Sequence, residues 1–195
     1  MEKDILKFLY TIEGLKDTLR HNWSKNGRHE SVAEHTWRAS VFFMIMNDLY
    51  DLKVDVVKVF KMILVHDIPE LIAGDIPAFI KEGDQEEFEK QEALNSKEVF
   101  NLLPSPLNKE YHELYMEFET AETREALVAK AVDRIESQMQ HVNSGIEYWE
   151  DEEVGEHMLT YPDTIINKLN NEQFGKIWEA VKQELVEMTN LYTKK

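Results

Sequence analysis

The sequence contains no cysteine, and its other scarcities narrow the fold and the class of function. Without cysteine there is no disulfide framework, no thiolate metal ligand and no cysteine nucleophile. Glycine and proline number only 7 and 5 among 195 residues, which favours helices over a turn-rich β fold. No apolar run is long enough to span a bilayer, and the charged N-terminus lacks the apolar segment of a secretory signal. We therefore expect a cytoplasmic protein without membrane contact.

Positive charge is also scarce. Lysine and arginine total 22 against 38 aspartate and glutamate residues, which gives a net charge of −16. This balance argues against general binding to nucleic acid or to anionic lipid. A phosphate-bearing substrate would be repelled by the overall field, so its site would need a bound cation and nearby basic side chains.

The length and patterning of the chain predict one all-α domain. The 195 residues, of which 43% are hydrophobic, suffice for a sizeable core, and no repeat or linker divides them. We expect a core over residues 5–150, followed by C-terminal helices over 151–195. Apolar spacing predicts helices over 4–17, 55–67, 107–119, 123–149 and 163–189, with an acidic helix from Asp84 to about Leu103. Residues 18–30, which include Asn26-Gly27, are predicted to form a polar loop.

Four residues are candidate metal ligands. Ser31 and Glu34 have the spacing of a capping box, which places His35 in the first turn of a helix. The pair His66-Asp67 falls at the buried end of another helix, and Asp133 lies beside the apolar stripe of a third. Buried carboxylates are costly without partners, and one divalent cation would neutralise both while accepting the imidazole lone pairs. The alternative is a structural ion-pair network with Arg38 or Arg134.

Four further residues suit the chemistry of a phosphate ester. Glu70 follows Asp67 by about one turn, and Asp75 follows Gly74 at a turn, so both acids could handle protons near a metal-bound water. Arg20 suits phosphate recognition, and Trp23 offers a face for a base or sugar. The alternatives are ordinary acids at a helix start and a turn, a surface arginine, and a tryptophan that anchors a loop.

The segments that hold these residues resemble a known family. They are Glu30-Ser31-Val32-Ala33-Glu34-His35, Leu64-Val65-His66-Asp67-Ile68-Pro69-Glu70, Ala73-Gly74-Asp75-Ile76 and Lys130-Ala131-Val132-Asp133. Over residues 5–150 the chain resembles the HD-domain metallophosphohydrolases, and among these it most resembles the small 5′-deoxynucleotidase branch. Arg20 and Trp23 also match that branch, although two residues separate them here and some members have the two adjacent.

The resemblance implies an all-α HD-domain helical bundle, a homodimer and a role for each candidate residue. His35, His66, Asp67 and Asp133 would hold one divalent metal ion, for which Mn, Co, Fe, Ni, Zn and Mg are all candidates. By the same resemblance Glu70 would position the attacking water, and Asp75 would contact the substrate or leaving group. Arg20 would hold the phosphate, and Trp23 would lie against the sugar.

The implied reaction is hydrolysis of a (deoxy)nucleoside 5′-monophosphate to nucleoside and phosphate. Two alternatives stay open. One is an HD-type phosphodiesterase or nucleoside-polyphosphate hydrolase, and the other is a sensor that binds metal or nucleotide without turnover.

Overall fold

Helices form almost all the regular structure, which confirms the predicted all-α class. The structure is a computed structural model and describes residues 1–76, 85–149 and 156–192. The helices are α1 (Glu2–Ile12), α2 (Val32–Tyr50), α3 (Val56–Val65), α4 (Glu70–Ala73), α5 (Gln85–Phe100), α6 (Leu107–Thr120), α7 (Arg124–Ser144), α8 (Glu156–Thr160), α9 (Asp163–Leu169) and α10 (Glu172–Tyr192). The predicted helix start at Asp84 lies outside the described residues.

Helix α7 is the centre of the bundle. It contacts α2, α3, α6, α9 and α10 and also the segment before α2. Its apolar stripe includes Leu127, Val128, Ala131 and Ile135, all of them buried as the spacing predicted. Polar residues on a helix that is surrounded on most sides are buried, and buried polar groups need hydrogen-bond or charged partners. The polar residues of α7 therefore indicate where a polar site lies inside the bundle.

The segment predicted as a polar loop instead contains a short β-hairpin. Strands β1 (Leu19–Trp23) and β2 (His29–Ser31) pair antiparallel, and the turn between them includes Gly27, whose φ is +76°. The strands lack clear apolar alternation because their inward side chains are Arg20 and Asn22, which bond to α7 rather than to an apolar core. The prediction of a loop over 18–30 was therefore wrong for the strands, whereas the Asn-Gly turn signal was right.

The C-terminal region packs two helices onto the bundle. Buried Phe174, Trp178, Val181 and Leu185 form one stripe on α10, and α9 contributes Ile165, Ile166 and Leu169 to the core. Both helices contact α7, as expected for the predicted helical tail. Across the described part of the chain, no helix combines the length and apolar content needed to cross a membrane.

Candidate active site

Helix α2 brings His35 into the interior. The predicted capping box is present, because Ser31 Oγ accepts from the backbone N–H of Glu34 at 3.3 Å and the Glu34 carboxylate accepts from Ser31 N–H at 3.0 Å. This start fixes the rotation of the helix, so that His35, Ala39 and Phe43 share its buried face. The His35 side chain is fully buried.

The end of α3 supplies the adjacent pair. Val59, Met62 and Ile63 form the buried stripe of this helix, and His66 continues that face past its last residue. The Nδ1 atom of His66 lies 2.8 Å from the carbonyl oxygen of Ile63. Because a carbonyl can only accept, Nδ1 carries the proton and the Nε2 lone pair points away from the helix.

The structure brings all four candidate ligands together. His35 Nε2 lies 3.1 Å from Asp133 Oδ1 and 3.6 Å from Asp67 Oδ2. His66 Nε2 lies 3.0 Å from Asp67 Oδ1 and 3.6 Å from Asp133 Oδ1. Both imidazoles therefore present Nε2 to the same two carboxylates, although the residues come from three separate helical segments.

Sequence reasoning missed a fifth member of this cluster, Glu136. Its fully buried carboxylate bonds His35 Nδ1 through one oxygen and Arg38 Nε through the other. A carboxylate behind a metal-binding imidazole fixes its tautomer and orientation. The available signal was position, since Glu136 follows Asp133 by about one helical turn and lies among apolar residues. Glu30 lies beside it, and burial followed by the charge of Glu136 raises the pKa of Glu30 to about 7.

The unsatisfied nitrogen and the buried carboxylates of the cluster fit a divalent cation. His66 Nε2 is buried and lies 3.0 Å from Asp67 Oδ1, but it makes no hydrogen bond of good geometry, although a buried polar atom ordinarily makes one. Burial and the Arg20 charge would lower the pKa of His35, but Glu136 and Asp133 together raise it to about 9. Burial would likewise raise the pKa of Asp133, yet the imidazoles of His35 and His66, which face its carboxylate, hold that pKa well below its ordinary value. Two imidazoles and two carboxylates suit several divalent metals.

The cluster lies at the wall of a cavity of about 600 Å³. His66, Asp67 and Asp133 line it together with Arg20. The Arg20 guanidinium lies 3.4 Å from Asp67 Oδ2 and donates to Ser137 Oγ at 2.9 Å, so it is held beside the cluster. The volume falls within the range typical of small-molecule sites. A buried arginine next to a cation site supplies the local positive charge that an anionic substrate needs in so acidic a protein.

Glu70 and Asp75 also line this cavity. Glu70 Oε2 is buried without a hydrogen-bond partner, and burial together with the charges of Asp67 and Asp75 raises the pKa of Glu70 well above its ordinary value. Gly74 ends α4 with a φ of +76°, which suits glycine and turns Asp75 inward. Asp75 accepts from His21 N–H at 3.2 Å; burial opposes ionisation, but Arg20 and His21 hold its pKa below the ordinary value.

Trp23 is a predicted site residue that the structure brings neither to the cavity nor to the His–Asp cluster. Trp23 is not among the described residues that line the cavity. Its ring packs between His29, at a centroid distance of 4.0 Å, and Tyr148, at 5.1 Å. Side chains alternate along a strand, so Arg20 and Trp23, three residues apart, project from opposite faces of β1.

The model of the HD domain family matches residues 12–178. The chain belongs to the HD-domain family. This HD-domain chain is 29% identical to 5′-deoxynucleotidase HDDC2 of Homo sapiens over 93% of its own length and 86% of the relative's. It is 33% identical to the protein of the same name from Mus musculus, over 70% and 67% of the two chains. It is 31% identical to 5′-deoxynucleotidase hdd1 of Schizosaccharomyces pombe, over 68% of each.

Solved structures agree with the family assignment. A predicted metal-dependent phosphohydrolase from Magnetospirillum magnetotacticum matches 95% of this HD-domain chain and 93% of its own, with a TM-score of 0.81 and 28% identity. The PH0347 protein of Pyrococcus horikoshii, at a TM-score of 0.64 and 24% identity, shares the fold. The predictions of an HD-domain helical fold and of a phosphohydrolase are confirmed. The family and the His–Asp cluster together indicate a divalent metal site, whereas the roles of single residues stay predictions.

Proposed function

We propose that this protein is a metal-dependent 5′-deoxynucleotidase, which hydrolyses (deoxy)nucleoside 5′-monophosphates to nucleoside and phosphate. One observation carries the proposal. The Nε2 atoms of His35 and His66 face the carboxylates of Asp67 and Asp133 at the wall of a cavity that also contains Arg20. The relatives that bear the name 5′-deoxynucleotidase support the choice of substrate class.

Four residues of this chain would hold the ion: His35, His66, Asp67 and Asp133. A divalent metal bound by them would polarise phosphoryl oxygens and lower the pKa of a bound water. Mn, Co, Fe, Ni, Zn and Mg are the candidates, because nitrogen and oxygen ligands in this ratio suit several of them and availability decides among them. The four protein ligands leave coordination positions for water and phosphate.

The remaining residues act on the water and on the phosphate. Glu70, whose buried oxygen lacks a partner, orients the attacking water and exchanges its proton. Arg20 binds the phosphate and stabilises the charge on the transferred group, as phosphoryl transfer requires. Asp75, fixed by the backbone N–H of His21, contacts the substrate or the leaving oxygen.

The proposed sugar contact of Trp23 is the least supported by its position. Its ring packs against Tyr148 and His29, so a sugar contact would require a rearrangement of the hairpin. Trp23→Ala tests the contact directly. If Trp23 excludes a 2′-hydroxyl, the variant loses preference for deoxynucleotides over ribonucleotides.

At the level of the whole chain, we propose one cytoplasmic HD domain over residues 1–195 that forms a homodimer. Contacts of α9 and α10 with α7 support the inclusion of the C-terminal helices in that domain. The nucleotide is its proposed partner, and the net charge of −16 opposes a nucleic-acid partner.

The proposal is tested by removing metal with a chelator, adding back single metals, and measuring phosphate release from paired ribo- and deoxyribonucleotides. We expect release from 5′-monophosphates only after metal is restored, and none from Asp67→Ala, which should bind no metal. A panel that adds di-, tri- and cyclic nucleotides identifies a polyphosphate hydrolase or a diesterase instead. Thermal stabilisation by nucleotide without phosphate release would show a sensor and contradict the proposal.

A further inference from the structure

One glutamine in the cavity has a hydrogen-bonding capacity that the protein does not use. Gln138 lies on α7 and lines the cavity that also contains Asp133. Its side chain is 5% exposed, and its Oε1 atom is buried without a hydrogen-bond partner. At a helical rise of about 1.5 Å per residue, Gln138 lies roughly 7.5 Å along α7 from the metal cluster.

A second glutamine on the same helix shows what a structural role looks like. Gln140 is also buried, and its Nε2 atom donates to the carbonyl oxygen of Trp23, which ties α7 to β1. An amide oxygen buried without a partner destabilises the folded protein, so folding alone gives no reason to keep one. The comparison separates Gln140, whose amide ties two elements of the fold together, from Gln138, whose buried Oε1 bonds nothing in the protein.

Another helix that lines the cavity, α5, provides a similar group. Asn95 on α5 is 2% exposed and lines the same cavity, and its Oδ1 atom accepts from Gln91 at 2.9 Å. Its Nδ2 atom is buried without a hydrogen-bond partner. The cavity therefore has a spare acceptor on α7 and a spare donor on α5, and neither belongs to a candidate metal ligand.

The position of these amides matches the part of a nucleotide beyond its phosphate. With the phosphate at the metal cluster and Arg20, the nucleoside must occupy the rest of the cavity. Nucleobase edges carry neighbouring hydrogen-bond donors and acceptors, and the glutamine amide is one of the groups that pair with them. A sugar phosphate without a base would leave such an amide unsatisfied.

We propose that Gln138 hydrogen-bonds the nucleobase of the substrate, with Asn95, on another helix that lines the cavity, as a second polar contact. The proposal rests on the proposed nucleotidase function and extends it to the recognition of the base. Base binding then satisfies a polar atom that is unsatisfied in the free protein, so a substrate with a base gains more from Gln138 than one without.

The test compares two substrates of the metal-loaded enzyme, deoxynucleoside 5′-monophosphates and 2-deoxyribose 5-phosphate, which has no base. Gln138→Met keeps the length of the side chain and removes its hydrogen-bonding groups. We expect the ratio of kcat/KM for the best nucleotide to kcat/KM for deoxyribose 5-phosphate to fall at least about tenfold. An unchanged ratio would overturn the proposal, whether both values fall together or neither falls.

Gln140→Met is the matched control. It should lower the melting temperature, because it breaks the bond to Trp23, and leave the substrate ratio unchanged. Gln138→Met should leave the melting temperature unchanged or raise it, since it removes an unsatisfied polar atom; a clear loss of stability would indicate a structural role instead.

Failure of the proposed function is distinguishable from failure of this inference. If the wild-type enzyme hydrolyses no nucleotide, the nucleotidase proposal falls. The effect of deoxynucleotides on the melting temperature of the metal-loaded protein then decides the role of Gln138. Stabilisation of the wild type that Gln138→Met reduces supports the base contact, whereas equal stabilisation of both proteins, or none of either, overturns it.

Discussion

The two histidines of the cluster are held by partners of different charge. His66 Nδ1 faces the neutral carbonyl oxygen of Ile63, whereas His35 Nδ1 faces the buried carboxylate of Glu136. A carboxylate partner makes an imidazole a stronger electron donor than a carbonyl does. His35 should therefore bind metal more tightly with the Glu136 carboxylate behind it than it would with a neutral partner.

We expect Glu136→Gln to weaken metal binding about 10–100-fold, the usual effect of losing a group behind a metal ligand. The amide keeps the shape but loses the charge that polarises His35 and pairs with Arg38. Titration of the chelator-stripped protein with a single metal measures the change. Glu34→Gln is the control, because Glu34 adjoins His35 in sequence and pairs with Arg28 at the surface, and glutamine can replace glutamate in the capping box. Equal affinities for wild type and Glu136→Gln would contradict this role.

Glu70 offers a test that separates chemistry from metal binding. We expect Glu70→Gln to retain metal affinity while kcat falls about 10²–10⁴-fold, the range for loss of a general acid or base. Steady-state kinetics at saturating metal measure kcat, and titration measures affinity. Glu113→Gln, at an exposed glutamate paired with Lys109, should change neither quantity. Normal turnover by Glu70→Gln would show that the water is positioned by another group.

Metal binding should be coupled to proton release. In the metal-free protein the pKa of His35 is raised to about 9 and that of His66 is also raised, so both are protonated at neutral pH. A metal ion needs their lone pairs and must displace these protons. Apparent affinity should therefore rise with pH from neutrality through about pH 9, the pKa of His35. Calorimetric titration near neutral pH, in buffers with different ionisation enthalpies, measures the protons; the absence of release would refute the coupling.

At the scale of elements, the start of α2 sets the direction in which His35 points. Ser31→Ala removes the acceptor for the Glu34 N–H, and we expect the free energy of unfolding to fall by about 0.5–2 kcal/mol. Chemical denaturation of the metal-free protein measures this loss. Ser40→Ala, in the same helix, removes only a bond to the Thr36 carbonyl and should cost little. A loss as large for Ser40→Ala would show that the cap has no special role.

The sequence predicted those elements whose signals are local. Helix periods and the capping box predicted where His35 and His66 fall, the apolar stripe of a third helix predicted the place of Asp133, and the resemblance then supported all of them as metal ligands. The hairpin escaped prediction because Arg20 and Asn22 are buried against α7, more than a hundred positions away in the chain. Glu136 escaped for the same reason, since nothing near it in sequence shows that His35 lies opposite.

Cavity residues were the hardest to predict, because a cavity exists only after several helices have packed. Gln138 and Asn95 have no spacing in common and lie on different helices, α7 and α5. Their unsatisfied atoms become visible only when hydrogen bonds can be counted in three dimensions. Sequence patterns therefore located the metal ligands better than the surface that would meet the rest of the substrate.

At the scale of the whole molecule, the outer face of α2 is apolar. Trp37, Met44 and Ile45 are 66%, 45% and 48% exposed, and their spacing places them on the side of the helix opposite His35 and Phe43. Isolated exposed apolar residues are ordinary, but a stripe along one helix suits a protein interface. The proposed homodimer gives this face a partner, and burial of Trp37 would contribute strongly because tryptophan dominates many interfaces.

If the proposed homodimer forms through this face, we expect Trp37→Glu to give a monomer, because it would place a charge of the same sign from each subunit in a shared apolar contact. Sedimentation velocity over a range of concentrations measures the change. Tyr10→Glu is the matched control, since Tyr10 is 74% exposed on α1 and outside this face, so the dimer should persist. Dissociation caused by Tyr10→Glu but not by Trp37→Glu would contradict an interface on α2 and indicate one on α1. A metal-binding Trp37→Glu monomer would also show that the His–Asp cluster assembles within a single chain, as its distances within one subunit require.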